Sequence, residues 1–166
     1  MQTVAVTFYD VVVWLHISSV VIAFGPTFGF GIYFAIAGRK YPRALPAIHE
    51  SVITITRSMV TLGGALILIT GLYLASRDPW SFGDFFIAWG IIAILVLLGL
   101  AHGVFLPNDQ RALRAAKRDI EAAGPTGEVD FSDEYEQTSG RNARLGPVAG
   151  LIVILTIYVM AAKPFL

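Results

Sequence analysis

The sequence contains no cysteine and few charged residues, and both absences restrict what the chain can be. Without cysteine the chain has no disulfide, no cysteine-ligated zinc and no iron–sulfur cluster. Only 14% of the 166 residues are charged and 55% are hydrophobic, whereas about 25% charged residues is usual for a soluble domain. Because a soluble core of this length does not bury so much apolar surface, the composition indicates a protein whose solvent is a lipid bilayer.

Charge of one sign and recognisable catalytic motifs are also missing. The twelve basic and twelve acidic side chains cancel, so no net field favours nucleic acid and we predict no nucleic-acid partner. There is no Gly-x-Ser-x-Gly, Walker loop or His-Glu-x-x-His sequence. Carboxylates are absent from the interiors of the long apolar runs, which argues against an ion-coupled transporter with an acidic relay. Catalytic residues and metal ligands therefore stay unassigned.

Four apolar runs are long enough to cross a membrane as helices, for which about 20 residues are needed. A helix satisfies its own backbone hydrogen bonds, so helices are the expected form in lipid. We predict an all-α polytopic membrane protein, a single four-helix transmembrane bundle with a cytoplasmic loop at residues 107–144. The predicted spans cover about residues 11–37, 58–75, 85–106 and 145–162.

The distribution of lysine and arginine predicts the orientation of these spans. The second loop has only Arg77 and the C-terminus only Lys163, whereas the first and third loops are rich in basic residues. Basic residues mark cytoplasmic loops, so we predict both termini outside, in the inner (plasma) membrane of a bacterium. The basic residues are Arg39, Lys40 and Arg43 in the first loop and Arg111, Arg114, Lys117, Arg118, Arg141 and Arg144 in the third.

The third loop is the only sizeable polar part of the chain. Asp109 to Ala123 is rich in alanine and arginine and ends before Gly124-Pro125, so we expect a short helix continuing the third span. The acidic stretch from Glu128 to Glu136 lacks periodicity. Two readings stay open for it: a solvated connector, or a segment for partner docking or regulation.

Small residues and one proline suggest how the spans pack. Gly-x-x-x-Gly pairs let helix backbones approach closely, and either the internal bundle or a dimer interface can use them. Pro26 lies within the first apolar run and predicts a kink there, which serves plain packing or opens a cavity. The expected partners are the lipid bilayer and either a second copy or another membrane protein. The pairs are Gly25 with Gly29, Gly99 with Gly103, and Gly146 with Gly150.

Ionisable residues inside the spans are the strongest functional pointers, because each is costly in lipid unless it is paired or hydrated. His16 lies in the outer part of the first span and His102 near the inner end of the third. A buried histidine can bind haem or a metal, relay protons, or hydrogen-bond to another helix. We take His16 and His102 as candidate cofactor contacts, His49 as an interfacial residue, and Arg57 as a side chain snorkelling to the inner phosphates.

Three short segments carry a resemblance to a known family. The first span, Trp14 to Gly25, contains Leu-His followed by a glycine. Leu68 to Leu72 reads Leu-Ile-Thr-Gly-Leu, and Met160 to Pro164, close to the C-terminus, reads Met-x-x-Lys-Pro. Together they resemble the bacterial membrane family called domain of unknown function 2269. That resemblance implies an integral membrane fold and assigns no chemistry.

The first span is also similar, more distantly, to those of HemJ-type protoporphyrinogen oxidases and CopD-type copper proteins. In both, a histidine opens a first span that leads to small residues. This resemblance implies that His16 contacts haem, porphyrin or a metal. The chain departs from HemJ after the first span, where Gly38-Arg39-Lys40 stands, and this difference weighs against the oxidase activity.

Three functional hypotheses follow. The first is a b-type haem- or porphyrin-associated redox protein that uses His16, together with His102 or alone. Because the two histidines lie at different depths, they are not expected to share one haem iron. The second is a permease for a small solute or metal, with the Pro26 kink lining a path. The third is a structural or accessory membrane subunit that docks a partner through its glycine faces and third loop.

Overall fold

The computed structural model describes residues 6–77 and 79–164, and all regular structure in these two ranges is helical. Four long helices are apolar enough to cross a membrane: α1 (Phe8–Lys40), α2 (Pro42–Ala75), α3 (Phe85–Ala123) and α4 (Asp133–Ala162). The prediction of an all-α protein with four membrane-spanning helices is confirmed. The starts of α1 and α3 and the ends of α2 and α4 lie at one end of the bundle, which we call the terminal end.

Helix α1 is interrupted where Pro26 predicts a kink. Its first part, Phe8–Phe24, begins with a capping box in which Thr7 and Asp10 satisfy each other's backbone N–H groups. Its second part is Thr27–Lys40. Proline has no N–H to donate to the preceding turn. After Pro26 the Gly29 N–H donates to the Pro26 carbonyl, three residues earlier as in a 3₁₀ turn, at 3.1 Å.

Helices α2 and α3 each contain a wide π-type turn. In α2 the segments are a 3₁₀ turn (Pro42–Ala44), Leu45–Ile55, the π turn Thr56–Val60, and Thr61–Ala75. In α3 they are Phe85–Leu100, the π turn Ala101–Phe105, and Leu106–Ala123. Such turns hold one extra residue and often lie at functional positions. His102 lies in one of them and Arg57 in the other.

The membrane part of the bundle packs in two helix pairs. The first part of α1 runs along the last part of α2, and the first part of α3 runs along α4. They share an apolar core, beside which the polar side chains Ser19 and Thr70 are also buried. The outward faces keep large apolar side chains exposed, as lipid contact requires. The core contains Ala23, Phe24, Val60, Ile67, Ile94, Leu97, Ala101 and Val153.

The glycines that bring helices together are not the predicted pairs. A Cβ added at Gly99, Gly103 or Gly146 would meet nothing within 4 Å, so the Gly99–Gly103 pair faces away from the bundle and the internal reading of that pair is wrong. In the last pair only Gly150 contacts another helix, since its added Cβ would lie 3.5 Å from the Phe28 ring. The close contacts lie at other positions on α2 and α3. Cβ atoms there would collide with a neighbouring helix at Gly63 (Ala23), Gly64 (Leu98) and Gly90 (Met160).

The predicted third loop is mostly helix. The expected short helix is present, since α3 continues through Leu106–Ala123. The end of the acidic stretch is not a connector, because α4 already begins at Asp133, well before the predicted span. Acidic side chains in a first turn interact favourably with the helix dipole, which explains why Asp133, Glu134 and Glu136 start a helix. The non-helical connection is residues 124–132.

These extensions pack into a compact end of the molecule, which we call the cap: residues 34–40, 42–55, 106–123 and 131–144. Three alanines of α3 are fully buried here and let α2 and α4 approach closely. Two ion pairs cross the cap surface, Lys117 with Glu50 at 2.6 Å and Arg118 with Glu134. The buried cluster is Ala37, Leu45, Ala112, Ala115, Ala116 and Tyr135.

Candidate functional site

A cavity of about 550 Å³ lies between the four helices in the membrane part of the bundle. It is bordered by α1 from Tyr9 to Phe24, which corresponds to about 22 Å along a helix axis. This volume is within the range of small-molecule and cofactor sites, about 300–1,000 Å³. Most of the wall is apolar, and the polar exceptions include Tyr9, His16, Trp80, Thr156 and Lys163.

His16 is the ionisable side chain in the middle of this wall, and one of its ring nitrogens is fixed by α2. The Nδ1 atom lies 2.8 Å from Thr70 Oγ1. The Thr70 hydroxyl donates its own proton to the Leu66 carbonyl at 2.6 Å. A hydroxyl has one proton, and the shorter contact assigns it to the Leu66 carbonyl. We therefore assign His16 Nδ1–H as the donor to Thr70 and the lone pair of the neutral ring to Nε2.

Gly71 provides the space in which the His16 ring lies. A Cβ at this position would be 3.2 Å from His16 Cε1 and 3.7 Å from Nδ1. Contacts of 3.2 Å are tighter than ordinary carbon–carbon contacts at about 3.5–4.0 Å. Thr70 and Gly71 therefore act together: one orients the ring by a hydrogen bond, and the other leaves room for it against α2.

The Nε2 atom of His16 carries the lone pair that is available to bind a ligand in this site. Among the described residues no hydrogen-bond partner is found for it, and the ring is half-buried in the cavity wall. A histidine that binds a metal or haem iron usually donates its other ring N–H to a fixed acceptor, which sets its orientation. His16 has this arrangement, with Thr70 as the acceptor.

Lys163 and Trp80 border the cavity at the terminal end. The Lys163 ammonium lies 4.0 Å from the centre of the Trp80 ring and 5.7 Å from that of Phe86. This is a cation–π arrangement with the aromatic side chains at the start of α3. Deeper in the cavity, Trp89 Nε1 donates to Thr156 Oγ1 at 3.1 Å. The polar groups thus lie at the terminal end and at two points along the wall.

His102 lies elsewhere, on the exposed surface of α3. Its Nδ1–H donates to the Leu98 carbonyl at 3.0 Å, and its Nε2 lies 2.9 Å from Thr61 Oγ1. The Thr61 hydroxyl also lies 2.9 Å from the Thr56 carbonyl, so its one proton serves either that carbonyl or His102 Nε2. Thr61 and Thr70, the partners of the two histidines, are nine residues apart on α2, or about 14 Å along the axis. The structure does not bring His16 and His102 to one site.

His49 lies in the cap and is almost completely buried, at 1% exposure. Its Nδ1 is 2.9 Å from Asp109 Oδ1, and its ring contacts Phe34 and Tyr135. His49 is thus packed inside the cap, and its predicted position at the membrane interface stays a prediction. Arg57 is exposed on its π turn, as a snorkelling side chain would be.

Sequence reasoning found His16 but missed its surroundings. Thr70, Gly71, Thr156, Trp80 and Lys163 were not proposed as site residues, since none of them is unusual in a membrane helix or at its end. One signal was present, however. The three segments that carry the family resemblance meet at this cavity: His16 from the first, Thr70 and Gly71 from the second, and Met160 with Lys163 from the third.

Clustered metal ligands are not found in the part of the chain that the structure describes. Within residues 6–77 and 79–164, no three histidine or carboxylate side chains come close enough to hold a metal ion together. A ligand of the cavity would instead be held by one histidine, a lysine and a large apolar wall.

A four-helix bundle with an apolar cavity between its helices and exposed apolar faces defines the class of the molecule: it is a polytopic integral membrane protein. Within this class, the family described as predicted integral membrane protein (DUF2269) matches residues 10–164, and the chain belongs to that family. No curated protein and no solved structure matches the chain.

Proposed function

We propose that this protein binds haem b or a related porphyrin in its membrane cavity, with His16 as the protein ligand. One observation carries the proposal: His16 has its Nδ1–H fixed by Thr70 and its Nε2 unpartnered among the described residues, in the wall of a 550 Å³ apolar cavity. An unpaired polar atom in such a place is costly unless a ligand or water completes it. A tetrapyrrole with a central metal supplies both an acceptor for the lone pair and an apolar body.

The chain's own residues would do three things for such a cofactor. His16 would hold it on one face, Thr70 would keep the imidazole in the Nδ1–H tautomer, and the apolar wall would exclude water. When bound, haem supplies one-electron redox chemistry at its iron, with a potential set by the axial ligand and its surroundings. The proposed class is therefore a haem- or porphyrin-associated redox protein of the membrane.

His102 has a subordinate place in this proposal. Its Nδ1 has a partner and its Nε2 lies beside the Thr61 hydroxyl, so a ligand at Nε2 would first have to displace Thr61. It would then form a second site, about 14 Å from the first along α2. We expect substitutions of His16 to remove the main chromophore and substitutions of His102 to leave it.

The test is the visible spectrum of the protein purified in mild detergent, oxidised and then reduced with dithionite. We expect a Soret band that shifts on reduction, is lost in His16→Ala, returns when imidazole is added to that variant, and persists in His102→Ala. Size-exclusion chromatography checks that each variant keeps its fold. A protein that stays colourless after haemin is added, or a His16→Ala spectrum equal to the parent's, would overturn the proposal.

A permease for a small amphipathic solute is the second candidate, and the length of the cavity favours it. The cavity extends from the terminal end to Phe24, next to the Gly25–Pro26 interruption of α1. A kink beside a cavity is a place where a path can open. Counterflow of a labelled solute in liposomes, reduced by Pro26→Ala and without any bound chromophore, would support this candidate over the first.

An accessory role in a homo-oligomer or membrane complex is the third candidate. Gly99 and Gly103 face open space on α3, where small residues permit close approach of another helix. Co-purification with a partner, or self-association, that survives His16→Ala and fails in Gly99→Leu would support it. If Gly99→Leu kept both co-purification and self-association, these glycines would be excluded as a contact surface.

We also propose the inner (plasma) membrane of a bacterium, with both termini outside. The exposed basic residues support this orientation, because they are concentrated on the cap and its margin while the terminal end has few. Basic residues remain on the cytoplasmic side during insertion.

A further inference from the structure

The end of α4 and the residue that follows it border the terminal end of the cavity. The helix ends at Ala162, and Lys163 has φ 44° and ψ 56°, a left-handed conformation. It is the one non-glycine residue with positive φ in the described ranges. Lysine adopts this conformation rarely, because its Cβ is crowded there. The helix thus ends at this left-handed residue, and its side chain borders the cavity.

The Lys163 ammonium has an aromatic neighbour and no acidic one among residues 6–77 and 79–164. It lies 4.0 Å from the Trp80 ring centre. An ammonium has three N–H donors, and a ring face neutralises its charge only in part. Lys117, by comparison, has Glu50 as a partner at 2.6 Å. Within the described ranges, the cation that borders the apolar cavity therefore has an aromatic ring and no carboxylate beside it.

We propose that Lys163, held by Trp80, binds the carboxylate of an amphipathic ligand whose apolar body fills the cavity. The inference rests on the proposed function only where the ligand is a porphyrin, whose propionate is one source of such a carboxylate. A long-chain fatty acid is the other source, and a cavity about 22 Å long is suited to either. The anion lies at the membrane surface and the apolar part in the interior, which is how amphipathic groups distribute across a bilayer boundary.

The first arm of the test compares acids with their esters. Haemin and haemin dimethyl ester are titrated into the purified parent protein, Lys163→Gln and Lys163→Arg. We expect Lys163→Gln to weaken haemin binding about 10-fold, the scale of one charge-assisted hydrogen bond, and Lys163→Arg to stay within about 3-fold of the parent. The dimethyl ester should bind all three proteins alike, because it has no carboxylate.

A matched control is available at the same end of the bundle. Arg77 lies over the Tyr73 ring at 4.5 Å, in the same kind of cation–π contact, and it does not border the cavity. Arg77→Gln should leave the binding of haemin unchanged. If Lys163→Gln binds haemin as the parent does, or weakens the ester equally, the proposal is overturned, since the effect is then absent or one of packing.

The second arm separates the two sources of the carboxylate. Palmitate and methyl palmitate are titrated against the same variants. If the parent binds no porphyrin but binds palmitate in a Lys163-dependent way, the haem function fails while the carboxylate site stands. If the parent binds haemin through Lys163 and ignores palmitate, the site is specific for the porphyrin. If it binds neither acid better than its ester, the carboxylate site is overturned.

Discussion

His49 and Asp109 form a buried hydrogen-bonded pair that joins α2 to α3 inside the cap. Their Nδ1 and Oδ1 atoms are 2.9 Å apart, and the side chains are 1% and 6% exposed. They are sixty residues apart in sequence. His49 Nε2 is the buried side-chain atom without a hydrogen-bond partner in the described ranges. The cap is therefore held by a polar contact set among alanines and aromatic rings, where the loss of either partner is expensive.

Replacing one member of this pair should strongly destabilise the protein. In His49→Phe the ring can still pack against Phe34, but the Asp109 carboxylate is left buried and unpaired, at a cost of about 3–5 kcal/mol. The double variant His49→Phe with Asp109→Leu should recover much of that loss. Unfolding by SDS in mixed micelles measures both.

The exposed ion pair of the cap supplies the control for this prediction. Lys117 and Glu50 are 52% and 54% exposed, so Glu50→Gln should cost less than about 1 kcal/mol. A loss in Glu50→Gln as large as in His49→Phe would contradict the view that burial makes the His49–Asp109 pair important.

Glycine substitutions should separate helix contacts from open faces. At Gly63 an added Cβ would lie 2.7 Å from Ala23 Cβ and 3.2 Å from the Ser19 carbonyl oxygen. Since α1 has to move away, Gly63→Ala should destabilise the protein by about 1–3 kcal/mol. Gly99→Ala meets nothing within 4 Å and should be neutral or stabilising by up to about 1 kcal/mol. The same SDS titration compares the two variants. Equal changes in the free energy of unfolding for Gly63→Ala and Gly99→Ala would contradict the packing of α1 on α2.

The membrane spans could be predicted because lipid requires nearly every side chain of a span to be apolar. Long apolar runs identify α1 to α4, and Pro26 identifies the interruption of α1, since its missing N–H acts locally. The sequence did not show which glycines face a neighbour. Gly99 and Gly63 look alike in an apolar run, and only the direction of each helix face, set by tertiary packing, distinguishes them.

The cap could not be predicted because its contacts join distant segments. Asp109 and His49 have no local pattern that pairs them, and the alanines of α3 look like a polar surface helix until α2 and α4 cover them. The cavity had a better signal. His16 stands out in lipid by itself, whereas Thr70 and Lys163 become significant only when folding puts them beside the same space.

Thr70→Val should weaken haemin binding without changing the shape of the wall. Valine has nearly the same volume as threonine but no hydroxyl, so His16 Nδ1–H loses its acceptor at 2.8 Å and the ring its fixed orientation. Loss of such an outer partner typically costs about 10–100-fold in affinity. Thr70→Ser keeps the hydroxyl and should bind like the parent. Titration by Soret absorbance measures all three, and equal affinity in Thr70→Val would show that Thr70 does not position His16.

The absence of cysteine makes the orientation directly measurable. Single cysteines can be introduced at Ser81, in the exposed connection between α2 and α3, and at Glu121, on the exposed surface of the cap. Neither side chain borders the cavity or a helix contact described above. In intact bacterial cells, a membrane-impermeant maleimide should label Ser81→Cys within minutes and label Glu121→Cys only after permeabilisation, because the cap carries most of the basic residues.

If Glu121→Cys rather than Ser81→Cys were labelled in intact cells, the orientation would be the opposite of the proposed one. The side of the membrane from which a ligand enters the cavity would then change as well. The terminal end of the cavity, with Lys163 and Trp80, would then face the cytoplasm, so an amphipathic acid would enter from the inside. The native chain, which has no thiol, is the blank for background labelling. Equal labelling of both positions before permeabilisation would indicate leaky cells. A cytoplasmic protein with an accessible cysteine serves as the control, because it stays unlabelled as long as the cells are intact.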